Sequence, residues 1–165
     1  MFELGISHGV EPRDAAYAYV TVMNTDKAAM QEYVKNPAVQ VLRNDERVQA
    51  VYHSGLKMLQ AIVYKADTIE TPTGLSVDIN HPCAVLVQEN GDALSITVSD
   101  PTHRPRCIDV TVNRELPVLE GADPTAENVT CENGASVVTF CLNDGAYAGS
   151  STTYSSKTGF SARLK

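Results

Sequence analysis

Residues 83–100 read CAVLVQENGDALSITVSD, and they decide the fold class. Two apolar runs flank a polar tetrad in which Asn90-Gly91 supplies the positive φ angles of a type I′ turn, the signature of a β-hairpin. The design recurs at residues 127–142, ENVTCENGASVVTFCL, around Asn133-Gly134. Between the hairpins lies CIDVTVN, where Ile108, Val110 and Val112 alternate strictly with Asp109, Thr111 and Asn113. That alternation gives one wet and one buried sheet face.

Strand signals continue toward the N-terminus. AVQVL (38–42), RVQAVYHS (47–54) and LKMLQAIVYKA (56–66) follow one another, the first two joined by the polar turn Arg43–Glu46. FELGIS (2–7) and AYAYVTVM (16–23) read as two further strands around a loop with Gly9 and Pro12. One segment departs from the pattern. Thr25 and Asp26 offer N-cap oxygens to KAAMQEYVKN, which ends at Pro37 and places Ala29, Met30, Tyr33 and Val34 on one face. Toward the C-terminus, residues 144–165 are rich in Ser, Thr and Gly and suit either a last strand or a frayed end. The expected fold is all-β, an antiparallel β-sandwich architecture with one short helix near residues 26–36. Pro72, Gly74 and Pro82 punctuate a stretch without a long apolar run. They suggest two pieces, 1–68 and 78–165, joined by a linker at 69–77.

The totals bound function. A net charge of −7 argues against nucleic acid and anionic membrane surfaces as partners. No apolar run reaches the ~18 residues of a bilayer span, and the first residues lack the features of a signal peptide. The four cysteines form no C-x-x-C, and no His stands at metal-ligand spacing from them. With Asn133-Gly134 as a two-residue turn, Cys131 faces Ser136 and Cys141 falls opposite about Ala126, so those two do not pair. Four small half-buried thiols are the expectation.

Catalytic motifs are missing: no G-x-S-x-G, H-E-x-x-H, P-loop or G-x-G-x-x-G occurs. His53 reads as one side chain on a sheet surface, and His81 and His103 as turn residues. Asp100-Pro101-Thr102 is a turn in which the Asp side chain bonds the backbone two residues on. His8, Arg104 and Arg106 remain as binding candidates, the arginines for an acidic ligand and His8 for a neighbouring domain. No catalytic residue, metal site or cofactor is assigned.

Three blocks in order carry a family resemblance: HGVEPRDAAYAY (8–19), NPAVQVLRNDERVQAVYH (36–53) and LSITVSDPT (94–102). Together they resemble the C-terminal part of the family 8 polysaccharide lyases, the chondroitin AC, hyaluronan and xanthan lyases. The resemblance runs over roughly residues 2–113. It implies large secreted or periplasmic enzymes with an α/α toroid, a central β-sandwich and a small C-terminal β-sandwich. They cleave uronic acid-containing polysaccharide by β-elimination, with the chemistry on the toroid. Residues 1–68 would then close the central domain, and 78–165 would form the C-terminal one. The start at Met1 would be a cut within a larger chain. The toroid motif is absent, so the fragment is expected to be inactive alone and to support the missing α/α domain. Its partners would be that domain and, through the whole enzyme, an acidic polysaccharide. A fragment short of its partner sheet also exposes apolar surface near residues 1–65 and invites a homodimer there. Two rival readings are a stand-alone carbohydrate-binding or cell-surface module and a complete small β-protein of unrelated function.

Overall fold

The computed structural model describes residues 5–104, 107–117, 126–142 and 148–156. Two compact units divide the chain, residues 1–37 and 38–165.

Within the first unit the helix forms as its capping signals dictate. α1 spans Lys27–Lys35, with Asp26 as N-cap: its Oδ1 accepts a hydrogen bond from the Ala29 amide at 2.8 Å. Lys35 lies in the last turn, where its charge suits the helix dipole, and pairs with Glu32 at 2.9 Å. No α1 residue is buried, and Val34 of the expected apolar face is 68% exposed. The strands expected at FELGIS and AYAYVTVM are not formed over residues 5–23, and Ile6, Tyr17, Tyr19 and Met23 are exposed. A strand exists only through a neighbour that takes its amides and carbonyls, and alternation alone supplies none.

Among the described residues, the second unit holds eleven strands in two antiparallel sheets. One has the order β1 (Val39–Asn44), β2 (Val48–His53), β3 (Met58–Val63), β6 (Cys83–Asn90), β7 (Ala93–Ser99) and β11 (Thr152–Ser155). The other runs β4 (Asp67–Glu70), β5 (Ser76–Ile79), β8 (Cys107–Val112), β10 (Ala135–Cys141) and β9 (Ala126–Glu132). Every pairing is antiparallel. Alternate residues point inward, so Leu59, Val87, Ile96 and Leu94 from one sheet join one core with Ile69, Ile79, Ile108 and Phe140 from the other.

This arrangement corrects the expected division at 69–77. β3 is hydrogen-bonded to β6 from Met58↔Gln88 to Val63↔Cys83, and β5 pairs with β8. The supposed linker contributes parts of β4 and β5, and Leu75 within it is 3% exposed. Pro72 and Gly74 mark the tight β4–β5 turn of a single sandwich, not a domain boundary. Gly74 has φ 82°, and Thr71 Oγ1 donates to the Leu75 carbonyl across that turn.

Two local readings are also revised. In the β6–β7 hairpin Asn90 pairs with Ala93, so Gly91-Asp92 form the loop; only Gly91 there has positive φ, as in a type II′ turn. The β9–β10 turn keeps the expected chemistry, with Asn133 at φ 53° and Gly134 at φ 80°. Cys131 indeed faces Ser136. Cys107 and Cys141, however, form a disulfide, correcting the expectation of four thiols. They lie directly opposite in the β8–β10 register, with Cα atoms 3.9 Å apart.

Candidate functional site

The residues singled out for binding fall in different units of the chain. His8 is exposed in the first unit, with its ring 6.2 Å from that of Tyr17. Arg104 is exposed after the β7 turn, and Arg106 lies outside the described residues. The other histidines serve or flank turns. His53 Nδ1 accepts from the Leu56 amide at 3.1 Å, capping the β2–β3 turn. His81 is exposed between β5 and β6. His103, at φ 56°, lies against the Gly149 turn, and its Nε2 stands 2.6 Å from where a Cβ on Gly149 would be. The Asp100 turn forms as read: its Oδ1 accepts from the Thr102 amide at 2.8 Å and from the Thr102 hydroxyl at 2.6 Å.

Among the described residues of the second unit, charged groups gather in three places, each engaged in the fold. At one end of the sandwich Asp67 accepts from Arg47 Nε at 2.7 Å and from Arg43 at 3.4 Å, while Asp45 accepts from Arg43 and from the Arg47 and Val48 amides. The Arg47 guanidinium, with the Thr68 amide, holds the Asp67 carboxyl down at about 2. The Arg47 and Val48 amides likewise lower Asp45, and its partner Arg43 is raised.

On the opposite side of the core, Glu89 occupies the inward position after Cys83, Val85 and Val87 of β6. Its Oε1 accepts from Thr73 Oγ1 at 2.5 Å and its Oε2 from Arg114 Nη2 at 2.7 Å, so it ties the six-stranded sheet to two loops of the other. Beside it a shallow hollow of about 350 Å³ is lined by Gly55–Lys57 and Gln88–Gly91. The third group lies on the outer face of the five-stranded sheet. There Asp78 accepts from Thr68, and Asp109 accepts from Asn80 and Thr139. Burial pushes up the Tyr154 phenol, with Cys131 adding to the shift, and its hydroxyl donates to the Pro117 carbonyl at 2.9 Å.

Proton abstraction next to a carboxylate requires a base, an acid for the leaving oxygen and a neutralising group converging on one point. Glu89, Asp67, Asp45 and Asp109 each spend their oxygens on the fold. Among the described residues no three His, Cys, Asp or Glu side chains cluster as metal ligands. The Glu89–Arg114 pair was not found from sequence, though one signal was available: a Glu continuing the inward parity of CAVLVQE requires a partner in the core.

Fold and side chains together define a class: an antiparallel β-sandwich module whose described polar clusters are internal staples. Residues 40–109 match the family model described as polysaccharide lyase family 8, C-terminal beta-sandwich domain, and the chain carries that family 8 domain. Chondroitinase-AC of Pedobacter heparinus is 35% identical over 104 residues, 63% of this chain and 15% of the relative. Hyaluronate lyase of Thermasporomyces composti is 30% identical over 128 residues, 75% of this chain and again 15% of the relative. The chain thus spans about one-seventh of the length of these curated relatives. Among solved structures, a Paenibacillus xanthan lyase superposes with a TM-score of 0.68 at 22% identity, covering 80% of this chain and 12% of that one, a likeness of fold.

Proposed function

We propose that the chain is the non-catalytic C-terminal β-sandwich portion of a polysaccharide lyase that cleaves uronic acid-containing polysaccharide by β-elimination. Its role is to support an α/α catalytic domain carried elsewhere on a longer polypeptide. The observation that carries this reading is the match of residues 40–109 to the lyase C-terminal domain, on a fold in which Glu89, Asp67 and Asp109 are engaged internally. The Cys107–Cys141 disulfide supports a secreted or periplasmic setting, since such bonds persist in oxidising compartments.

A second reading, a carbohydrate-binding module, draws on exposed Arg104 and on the stacked pair Tyr17–Tyr19, whose rings are 6.5 Å apart and 10° from parallel. Calorimetric titration with chondroitin sulfate and hyaluronan oligosaccharides at low and high salt separates the two. The support role is expected to give no binding heat. A salt-sensitive affinity abolished by Arg104→Ala would replace it with the module reading.

A further inference from the structure

The β2–β3 turn, residues 54–57, is held by contacts of unequal durability. The Lys57 amide closes it by donating to the Ser54 carbonyl at 3.3 Å. Lys57 sits there at φ 47°, a left-handed conformation that a residue with a side chain keeps only where its surroundings impose it. His53 supplies the next constraint. Its Nδ1 accepts from the Leu56 amide at 3.1 Å, and its ring lies against Gly55, where a Cβ would stand 3.4 Å from Cε1. Ser54 in turn fixes the chain just ahead of the edge strand β1. Its amide and its hydroxyl donate to the Ala38 carbonyl at 2.8 and 3.2 Å.

An imidazole nitrogen accepts a hydrogen bond only while it carries no proton, so Nδ1 is the bare nitrogen and Nε2 bears the hydrogen. Protonation turns Nδ1 into a donor aimed at the Leu56 donor. Histidine is the side chain that changes charge between about pH 5 and 8, and His53 is half-buried, within reach of water. The sheet sets no countercharge beside it: Val39 of β1 and Met58 of β3 stand opposite in register, with Gln88 of β6 beyond Met58. Among the described residues of the second unit, the ionisable groups at this end of the sheet are three. Lys57 lies in the turn itself, Glu89 faces inward to Thr73 and Arg114, and Asp92 lies in the β6–β7 loop. We propose that His53 is a pH-sensitive latch. On acidification a proton from solvent occupies the Nδ1 lone pair, the bond from Leu56 is lost, the strained turn opens, and the Ala38 tether ahead of β1 loosens with it. Gly55–Lys57 also form one wall of the hollow lined by Gln88–Gly91, so its shape is coupled to the same proton. The inference does not depend on the lyase reading.

Amide hydrogen exchange of the full chain tests it, followed by nuclear magnetic resonance at about pH 8 and pH 5 and corrected for the intrinsic pH dependence of exchange. Protection of the Leu56 amide is expected to fall at least about fivefold on acidification, the effect of losing a hydrogen bond of ordinary net strength. The Ser54 amide is expected to fall alongside it. The Gly74 amide, bonded to the Thr71 carbonyl in a turn without an imidazole, is expected to keep its protection. His53→Asn puts a non-titrating oxygen in the place of Nδ1 and is expected to hold Leu56 protected at both pH values. His53→Ala is expected to leave it unprotected at both. Equal protection of Leu56 at the two pH values in the parent chain, or the same fall in His53→Asn, would overturn the proposal.

Discussion

Replacing Glu89 with Ala removes the one carboxylate that joins Thr73, Arg114 and β6. The Glu89 side chain is only 8% exposed, whereas that of Arg114 is 33% exposed. Deleting one partner of a fully buried ion pair costs about 3–5 kcal/mol, because the other charge is stranded. Arg114 reaches water in part, which reduces that penalty, so about 2–3 kcal/mol is expected. Glu89→Gln keeps an acceptor for Thr73 and loses the charge, with about 1–2 kcal/mol expected. The double change Glu89→Leu/Arg114→Leu strands nothing and is expected to fall within ~1 kcal/mol of the parent. Urea and thermal unfolding followed by far-ultraviolet circular dichroism read all three, with Tm lower by about 10 °C for Glu89→Ala. If Glu89→Ala unfolds at the parent's midpoint, or the double variant is the least stable of the set, the pair does not staple the sheets and the reasoning fails.

Other expectations follow from the same contacts. Replacing Cys107 and Cys141 by Ser opens a loop with a sequence separation of 34. The chain-entropy relation puts the loss at roughly 3–4 kcal/mol, read as a lower urea midpoint; an unchanged midpoint would contradict it. Gly149 has φ 81° and no room beside His103, so Gly149→Ala should lower Tm, and adding His103→Ala should restore part of the loss. No recovery would show that the strained backbone, not the contact, sets the cost. For Asp67, with its folded pKa depressed to about 2, the stabilisation is fully present above ~pH 4 and is lost as pH falls through 2. Asp67→Asn should therefore flatten the fall of Tm between those values; an unaltered acid limb would assign it to other groups.

The sandwich was legible wherever a local signal coincided with the tertiary arrangement. CIDVTVN became β8 with its alternate residues buried, Asn133-Gly134 made its turn, and Asp26 capped its helix. The failures share one physical cause, dependence on a distant partner. FELGIS and AYAYVTVM have the pattern of strands but no neighbouring strand over residues 5–23. The break at 69–77 looked like a linker because turn residues punctuate hairpins and domain boundaries alike, and only the β3–β6 pairing distinguishes them. Cys107 and Cys141 are joined through the β8–β10 pairing, whereas the sequence weighed Cys141 against its hairpin neighbour. Of the candidate residues, His8 and Arg104 lie in irregular segments, whereas the staple at Glu89 required the opposite sheet.

In the proposed role this sandwich supports lyase chemistry without performing it. Incubating the purified chain with chondroitin sulfate, hyaluronan and xanthan, and following the ultraviolet absorbance of unsaturated uronate, tests it most directly. No rise above the enzyme-free blank is predicted for any of the three. A time-dependent rise proportional to chain concentration would place the base, the acid and the carboxylate-neutralising group on these 165 residues and contradict the account.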